Sequence, residues 1–233
     1  MLHGDIVCGG AWQRMERETG LKDNVPAHDK IIAAALEYGK SYAFDGGHAR
    51  QVRRLSLAIY DGLKELHGLG KRPRLLLECA ALLHDIGFTG SNKKTHHKRA
   101  MELIQKGSLT GLSEMERILV GLVARYHRKT LPSVAHDTYR VLDMRHRRTV
   151  DMLAACLRVA DGLDRTHQCV VGDVSCRVTH ADIVLTLDVH GNADEEVHHG
   201  MAKGDLMQIV FSRWLHIIIT PEKSSGEQPL ENP

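Results

Sequence analysis

Histidine and aspartate are the residues of this sequence whose types and positions point to chemistry. The chain of 233 residues contains 16 histidines, more than its Phe, Trp and Tyr residues together. His84 and Asp85 stand side by side at the end of one apolar run, and Asp161 ends a second. A buried carboxylate needs a partner, because an unpaired charge away from water is costly. That partner is either a divalent cation or a basic side chain, and Arg165 stands one helical turn beyond Asp161.

Further histidines stand where predicted helices begin or end, namely His48, His96, His97 and His127. Taken singly, His48 and His127 are better explained as surface or capping histidines, and His96 and His97 as the polar first turn of a helix. Together with two acids in apolar surroundings, they indicate ligands that converge on a shared cation. Imidazole and carboxylate ligands suit manganese, iron, cobalt, nickel or zinc better than magnesium or calcium.

The elements that would carry these residues are helices. Apolar residues recur at three- and four-residue intervals from His28 onward, which predicts a first helix there. Ser113 followed by Glu116 is a capping box, typical of a helix start. The later predicted helices cover 48–67, 75–86, 95–107, 113–128 and 146–163. The helix at 75–86 is apolar almost all round, which is typical of a central buried helix.

The pattern changes after residue 169, where apolar and polar residues alternate. Runs at 174–178 and 183–189 predict a hairpin, followed by a short helix at 203–213 and a strand at 214–220. The fold class expected is therefore mainly α, with a small C-terminal α/β subdomain. The predicted divisions are an N-terminal segment at 1–27, a helical domain at 28–168, the subdomain at 169–220 and a disordered tail at 221–233.

Composition narrows the class of protein. Charged residues are 26% and apolar residues 42% of the chain, and the net charge is +2, so bulk charge does not predict a nucleic-acid partner. Five cysteines without a C-x-x-C pair predict neither a disulfide framework nor a cysteine zinc site, and favour a reducing, cytoplasmic location. We see no signal peptide and no membrane span. Charge is uneven, however, because 91–148 holds 13 Lys and Arg against 5 Asp and Glu, which could attract an anion.

The order His48, His84-Asp85, Asp161 resembles the H…HD…D signature of the HD superfamily of metal-dependent phosphohydrolases. Longer stretches resemble the C-terminal HD region of the exopolyphosphatase/guanosine pentaphosphatase (Ppx/GppA) family over about residues 28–220. These stretches are YGKSYAFDGGHARQV, LHGL, AALLHDIGF, HHKRA, GLSEMER, VARYHRKTLP and LRVADGLDRTH.

The resemblance implies a helical HD core whose metal ligands are His48, His84, Asp85 and Asp161. It also implies that His97, or its neighbour His96, joins His127 in holding a second metal ion. One ion or two would then take part in phosphoryl transfer, with His84 and Asp85 as the catalytic pair.

The family's exopolyphosphatase activity is assigned to an N-terminal actin-like domain with glycine loops, which residues 1–27 cannot supply. We therefore do not carry that activity over. The function predicted is hydrolysis of a phosphate ester or anhydride, and the substrate class favoured is a nucleotide. The alternative is a non-catalytic module that binds a nucleotide or polyphosphate. The partner expected is an anionic phosphate compound, and both a monomer and a homodimer stay open. The cations expected to hold its oxygens are Lys93, Lys94, Arg125, Arg128 and Arg158.

Overall fold

The protein is described by a computed structural model that covers residues 28–42, 45–90 and 94–220. The helices in these ranges are α1 (His28–Lys40), α2 (Gly46–Gly62), α3 (Lys64–His67), α4 (Lys71–Leu83), α5 (His96–Lys106), α6 (Glu114–Arg125), α7 (Asp137–Arg140), α8 (Met144–Gly162), α9 (Asp194–Ala202) and α10 (Asp205–Phe211). The strands are β1 (Val171–Val178), β2 (Asp182–Val189) and β3 (Trp214–Ile219). The fold is mainly α with a small C-terminal α/β part, as the sequence pattern predicts.

Two helices form the centre of the hydrophobic core. Every residue of α4 from Leu75 to Leu83 is buried, and α8 is buried continuously from Met152 to Gly162. Helix α4 packs against α1, α2 and α6, whereas α8 packs against α2, α6, α9 and α10. Because each central helix is covered on several sides, its sequence is apolar nearly all round. Residues at the C-terminal ends of these helices are therefore delivered into the interior.

The sheet has the strand order β1-β2-β3. Strands β1 and β2 form the predicted antiparallel hairpin, with Val174 opposite Leu187, and β3 runs parallel to β2. A parallel pair requires a crossover connection, which α9 and α10 provide. Since β1 packs on α2 while α9 and α10 pack on α8, the C-terminal part lies directly against the helical core. The predicted division after residue 168 stays a prediction.

Several element boundaries differ from those predicted. The helix predicted at 48–67 ends at Gly62 and continues as the separate short α3, and the helix predicted at 75–86 ends at Leu83, before His84 and Asp85. Helices α7 and α9 were not predicted, because their sequences carry few apolar residues and their positions depend on packing. The predicted segments at 1–27 and 221–233 lie outside the described residues. Across the described ranges, no helix combines the length and apolar character needed to cross a membrane.

The start of α6 confirms the capping box. The Ser113 hydroxyl accepts a hydrogen bond from the Glu116 amide at 3.2 Å, and the Glu116 carboxylate accepts one from the Ser113 amide at 2.8 Å. Arg72 of α4 also donates to this carboxylate, at 2.6 Å and 2.7 Å. The cap therefore joins α6 to the central helix α4, which fixes the direction in which α6 runs toward His127.

Candidate metal centre

Five separate elements bring histidine and aspartate side chains to one place in the interior. His48 lies in the first turn of α2, and His84 and Asp85 follow α4. His127 follows α6, and Asp161 lies in the last turn of α8. The fifth element is α5, which begins at His96, and the imidazoles of His48, His84, His96 and His127 are each at most 4% exposed.

One group of side chains surrounds His84. Its Nε2 lies 3.6 Å from Asp85 Oδ2 and 3.7 Å from Asp161 Oδ1. His48 Nε2 lies 3.3 Å from the same Asp161 oxygen. Single atoms of His48, His84 and Asp85 are close enough together to hold one metal ion. These are the residues that the sequence order suggested, with Asp161 at their edge.

A second group uses the other oxygen of Asp85. His96 Nε2 lies 3.1 Å from Asp85 Oδ1, and His127 Nε2 lies 3.5 Å from it. Asp85, His96 and His127 could together hold a metal ion. Asp85 therefore belongs to both groups, with one oxygen facing each, so it would be available to an ion held by either group.

The outer nitrogen of three imidazoles is tied to an oxygen. His48 Nδ1 shares a 2.8 Å hydrogen bond with Asp164 Oδ2, His84 Nδ1 lies 2.8 Å from the Ala81 carbonyl, and His127 Nδ1 lies 2.6 Å from the Ala124 carbonyl. A carbonyl only accepts, so Nδ1 of His84 and His127 must donate, and the lone pair of each ring is then on Nε2. Ligating histidines are held in this way in known metal sites.

The inward-facing atoms fit a metal ion. Within the part of the chain that the structure describes, His48 Nε2, His84 Nε2 and Asp85 Oδ1 are buried and make no well-aligned hydrogen bond, although each lies 3.1–3.6 Å from an atom of another side chain of the cluster. Buried polar atoms without a partner are rare, since each costs roughly 1–3 kcal/mol. A divalent transition metal would satisfy all three. The donor set of imidazole nitrogens and carboxylate oxygens is also the one such metals prefer.

The charge states suit metal binding. Burial raises the pKa of Asp85, but His84 and His96 outweigh it and hold that pKa well below its usual range. Burial lowers the pKa of His127 to about 3, so this imidazole is neutral. Burial also lowers the pKa of His48, but Asp161 and Asp164 on its two ring nitrogens raise it to about 10. A metal ion would have to displace the His48 proton.

His96, rather than His97, lies beside Asp85. His97 is buried, but it belongs to neither group, and burial together with the neighbouring His96 lowers its pKa to about 4. The preference for His97 is corrected on this point, because consecutive residues of a helix point about 100° apart and only the first residue of α5 faces Asp85. Arg128 Nη1 also donates to His96 Nε2, at 3.2 Å.

Of the cations expected to contact a phosphate, Arg128 reaches the cluster. Arg158 is buried and donates to the Asp205 carboxylate and the Tyr126 carbonyl, so its guanidinium is occupied and its predicted role is corrected to a structural one. Arg125 lies against Met101 Sδ at 3.9 Å and the Tyr126 ring, and none of its described contacts joins it to the cluster. Lys94 is exposed, and Lys93 lies outside the described residues.

Four residues of the site were not predicted, namely Asp45, Asp164, His167 and Lys203. Asp164 is fully buried behind His48, and Lys203 contacts Asp161, whereas Arg165 is exposed. The spacing of Asp164, three residues after Asp161, could have suggested it, because residues three apart at the end of a helix lie near one another. Lys203 gives no such signal, since it is 42 residues from Asp161.

His167 and Asp45 position His48 from outside. The His167 ring stacks on the His48 ring with centroids 3.8 Å apart. His167 Nδ1 lies 2.9 Å from Asp45 Oδ2, and the other Asp45 oxygen accepts from the His48 amide at 3.1 Å. Asp45 is thus both the N-cap of α2 and a link to His167. His48 is held by its ring face, its ring nitrogen and its backbone.

These features define a mainly helical domain with two groups of residues that could hold metal ions. The family model described as Ppx/GppA phosphatase, domain III, matches residues 32–207. The chain therefore belongs to the Ppx/GppA phosphatase family, and the matched part corresponds to that domain. No curated protein is similar enough to count as a match. The family relates this chain to phosphatases, and it covers every residue of both groups.

Proposed function

We propose that this protein is a metal-dependent phosphohydrolase of the HD type, acting on a phosphate ester or anhydride of a nucleotide. The observation that carries the proposal is the shared Asp85, which has one oxygen toward His84 and the other toward His96 and His127. Two divalent ions about 3.5–4 Å apart are the arrangement used to activate water and stabilise phosphoryl transfer. The phosphatase relationship of the family supports the same reaction class.

Each side chain has a role in this proposal. His48, His84, Asp85 and Asp161 would hold one ion, whereas His96 and His127 would hold the other with Asp85. A divalent metal such as Mn, Fe, Co, Ni or Zn supplies Lewis acidity and lowers the pKa of water. Asp85 would orient the attacking water, because its two oxygens lie between the two groups, and His84 would act through the ion that it holds. Arg128 binds a phosphate oxygen of the substrate, since its guanidinium already lies beside His96.

The test combines metal analysis with an activity screen. The purified full chain is analysed for bound metals and is then assayed, with Mn, Ni, Co or Mg added, against nucleoside mono-, di- and triphosphates and dinucleotide polyphosphates. Asp85→Ala should lose bound metal and all turnover, because it removes a ligand from both groups. Asp188→Ala, which removes an exposed carboxylate on β2, is the matched control and should behave as wild type.

Two results would contradict this assignment. Full metal occupancy in Asp85→Ala would show that the metal is bound elsewhere. Metal at one equivalent or more in the wild type without turnover of any compound would favour a binding module for nucleotides or polyphosphate.

A further inference from the structure

Among the lysines in the part of the chain that the structure describes, Lys203 alone pairs with a carboxylate of the candidate metal centre. Its ammonium contacts Asp161 Oδ2. Lys203 lies in the turn between α9 and α10, in the C-terminal α/β part, whereas the candidate ligands all come from the helical core. The C-terminal part therefore contributes a side chain to a site that the core otherwise builds.

Ionic and polar contacts fix the two helices that flank Lys203, α9 and α10. On the α9 side, the buried Glu196 carboxylate accepts hydrogen bonds from the Thr166 amide at 3.1 Å and the Thr166 hydroxyl at 2.6 Å. On the α10 side, the Asp205 carboxylate accepts from Arg158 Nη2 at 2.7 Å and 2.9 Å. Both contacts join the flanking helices to α8 or to the turn that follows it. The turn with Lys203 is thus attached on both sides of Asp161.

A close helix crossing brings this turn to Asp161. A methyl group on Gly162 would lie 2.7 Å from the His199 carbonyl oxygen and 2.8 Å from Gly200 Cα, which is closer than such atoms can approach. Helices α8 and α9 therefore touch at backbone distance, one residue beyond Asp161. The contact of Lys203 with Asp161 is a consequence of this packing rather than of a flexible surface side chain reaching over.

The two oxygens of Asp161 face different groups. Oδ1 faces His48 and His84, where a metal ion fits, whereas Oδ2 contacts Lys203 and lies 4.0 Å from His127 Nε2. The Lys203 side chain is 22% exposed, against 11% for Asp161, so Lys203 is the more accessible of the two to solvent. An ammonium has three N–H donors, and Asp161 accepts from one of them. The others can reach a ligand that enters from solvent.

The charges around the site indicate that this ligand is an anion. In the described structure, Lys203 contacts Asp161, and Arg128 donates to His96, which lies 3.1 Å from Asp85. Each of these two carboxylates therefore already has a cation nearby. Each divalent ion bound by the carboxylates adds two positive charges beside Lys203. An anion with several oxygens, which can contact the metal and both cations together, restores the balance.

We propose that Lys203 is a phosphate-binding residue of this site, which contacts an oxygen of the phosphoryl group that is transferred. This inference rests on the proposed function. It assigns to the C-terminal α/β part the task of completing the substrate site.

The experiment measures binding of two probes to the full chain by calorimetry, Mn²⁺ alone and then inorganic phosphate to the Mn²⁺-loaded protein. Lys203→Met removes the charge, and Lys203→Arg keeps it. Lys106→Met is the matched control, since Lys106 is an exposed lysine at the far end of α5, about 15 Å along the helix from His96. Thermal unfolding of each variant verifies that it is folded.

In Lys203→Met, phosphate affinity should fall about tenfold or more while Mn²⁺ affinity is kept or increases, because a positive charge next to the metal is removed. Lys203→Arg should retain most of the phosphate affinity, and Lys106→Met all of it. Equal phosphate affinity in Lys203→Met and wild type would overturn the assignment, as would an equal loss of Mn²⁺ and phosphate affinity, which would mean that Lys203 only positions Asp161. A wild-type chain that binds no metal would instead overturn the proposed function, and this inference with it.

Discussion

The number of metal ions that the cluster can hold depends on the two carboxylate oxygens of Asp85. Its Oδ2 lies near His84, and its Oδ1 lies near His96 and His127. A carboxylate shared in this way makes the two groups partly independent, because the histidines of one group are not ligands in the other. Removing a histidine of the second group should therefore leave the first group intact.

His127→Ala is expected to lower bound metal from about two ions per chain to one. The variant loses the Nε2 atom 3.5 Å from Asp85 Oδ1, whereas His48 and His84 keep their positions. Metal content of protein purified after loading with Mn²⁺ is the measurement. His216→Ala, which changes an exposed histidine on β3, serves as the control. If the stoichiometry of His127→Ala equals that of wild type, His96 and His127 do not bind a second ion.

At the scale of elements, the second group depends on how closely α5 approaches the turn after Asp85. A methyl group on Gly87 would lie 2.5 Å from the Ala100 amide nitrogen and still closer to the His96 carbonyl oxygen. This approach allows His96 to lie 3.1 Å from Asp85. Glycine is needed at position 87 because any side chain would push α5 away from the site.

Gly87→Ala should therefore destabilise the fold by about 1–3 kcal/mol and weaken metal binding at the second group more than at the first. Urea unfolding and metal content are the two measurements. Gly70→Ala is the comparison, because a methyl group there meets nothing within 4 Å, and its cost should stay below about 1 kcal/mol. A Gly87→Ala protein with wild-type stability and metal content would contradict this account.

His67 at the end of α3 predicts a pH effect on stability. Its Nε2 lies 2.8 Å from the Tyr60 carbonyl, to which it donates, and its Nδ1 accepts a hydrogen bond from the Leu69 amide at 2.9 Å. The neutral ring satisfies both contacts, and burial lowers the pKa of His67. The unfolded chain, with an ordinary pKa of about 6.5, therefore binds the proton at a higher pH than the folded chain does.

The free energy of unfolding should then fall as the pH decreases from about 7 to 5, because the unfolded state takes up more protons in that range. His67→Gln removes this contribution, so its stability should depend less on pH than that of wild type. Urea unfolding of both proteins at pH 7.5 and 5 is the measurement, and the other histidines contribute equally to both. Parallel losses of stability in the two proteins would contradict the prediction.

At the scale of the whole molecule, the charge of the chain is concentrated on one segment. The net charge is +2, yet 91–148 has 13 basic residues against 5 acidic ones, and this segment contributes His96, His127 and Arg128 to the site. A positive field around the site should accelerate the association of an anionic substrate, and salt screens that field within about 10 Å at 0.1 M and 3 Å at 1 M.

We therefore expect kcat/KM for the substrate found in the screen to decrease as salt is added. Arg128→Met should raise KM several-fold while bound metal is kept or increases, because Arg128 donates to His96 Nε2, the atom that would bind the ion. Arg125→Met is the matched control, since Arg125 packs against Met101 and Tyr126 and should change KM little. Kinetics that do not respond to salt, with both variants alike, would show that this segment is ordinary basic surface.

Sequence patterns were sufficient to predict most helices and the hairpin, because these elements depend on residues close together in the chain. The intervals of apolar residues in α4 and α8 and the alternation in β1 and β2 reflect burial of one element against its neighbours. The mainly α fold class follows from them, and the structure confirms it. The set His48, His84, Asp85 and Asp161 followed from a resemblance in the order of motifs, and its role as metal ligands stays a prediction.

The remaining features of the site depend on contacts between residues that are far apart in the sequence. The sequence does not distinguish which of the adjacent residues His96 and His97 is the ligand. The packing of α5 against Gly87 places His96, rather than His97, next to Asp85. The partner of Arg158 is 47 residues away, at Asp205, and the partner of Asp161 is Lys203. No local pattern specifies such pairs, because they arise when α9 and α10 pack on α8 and bring opposite charges together.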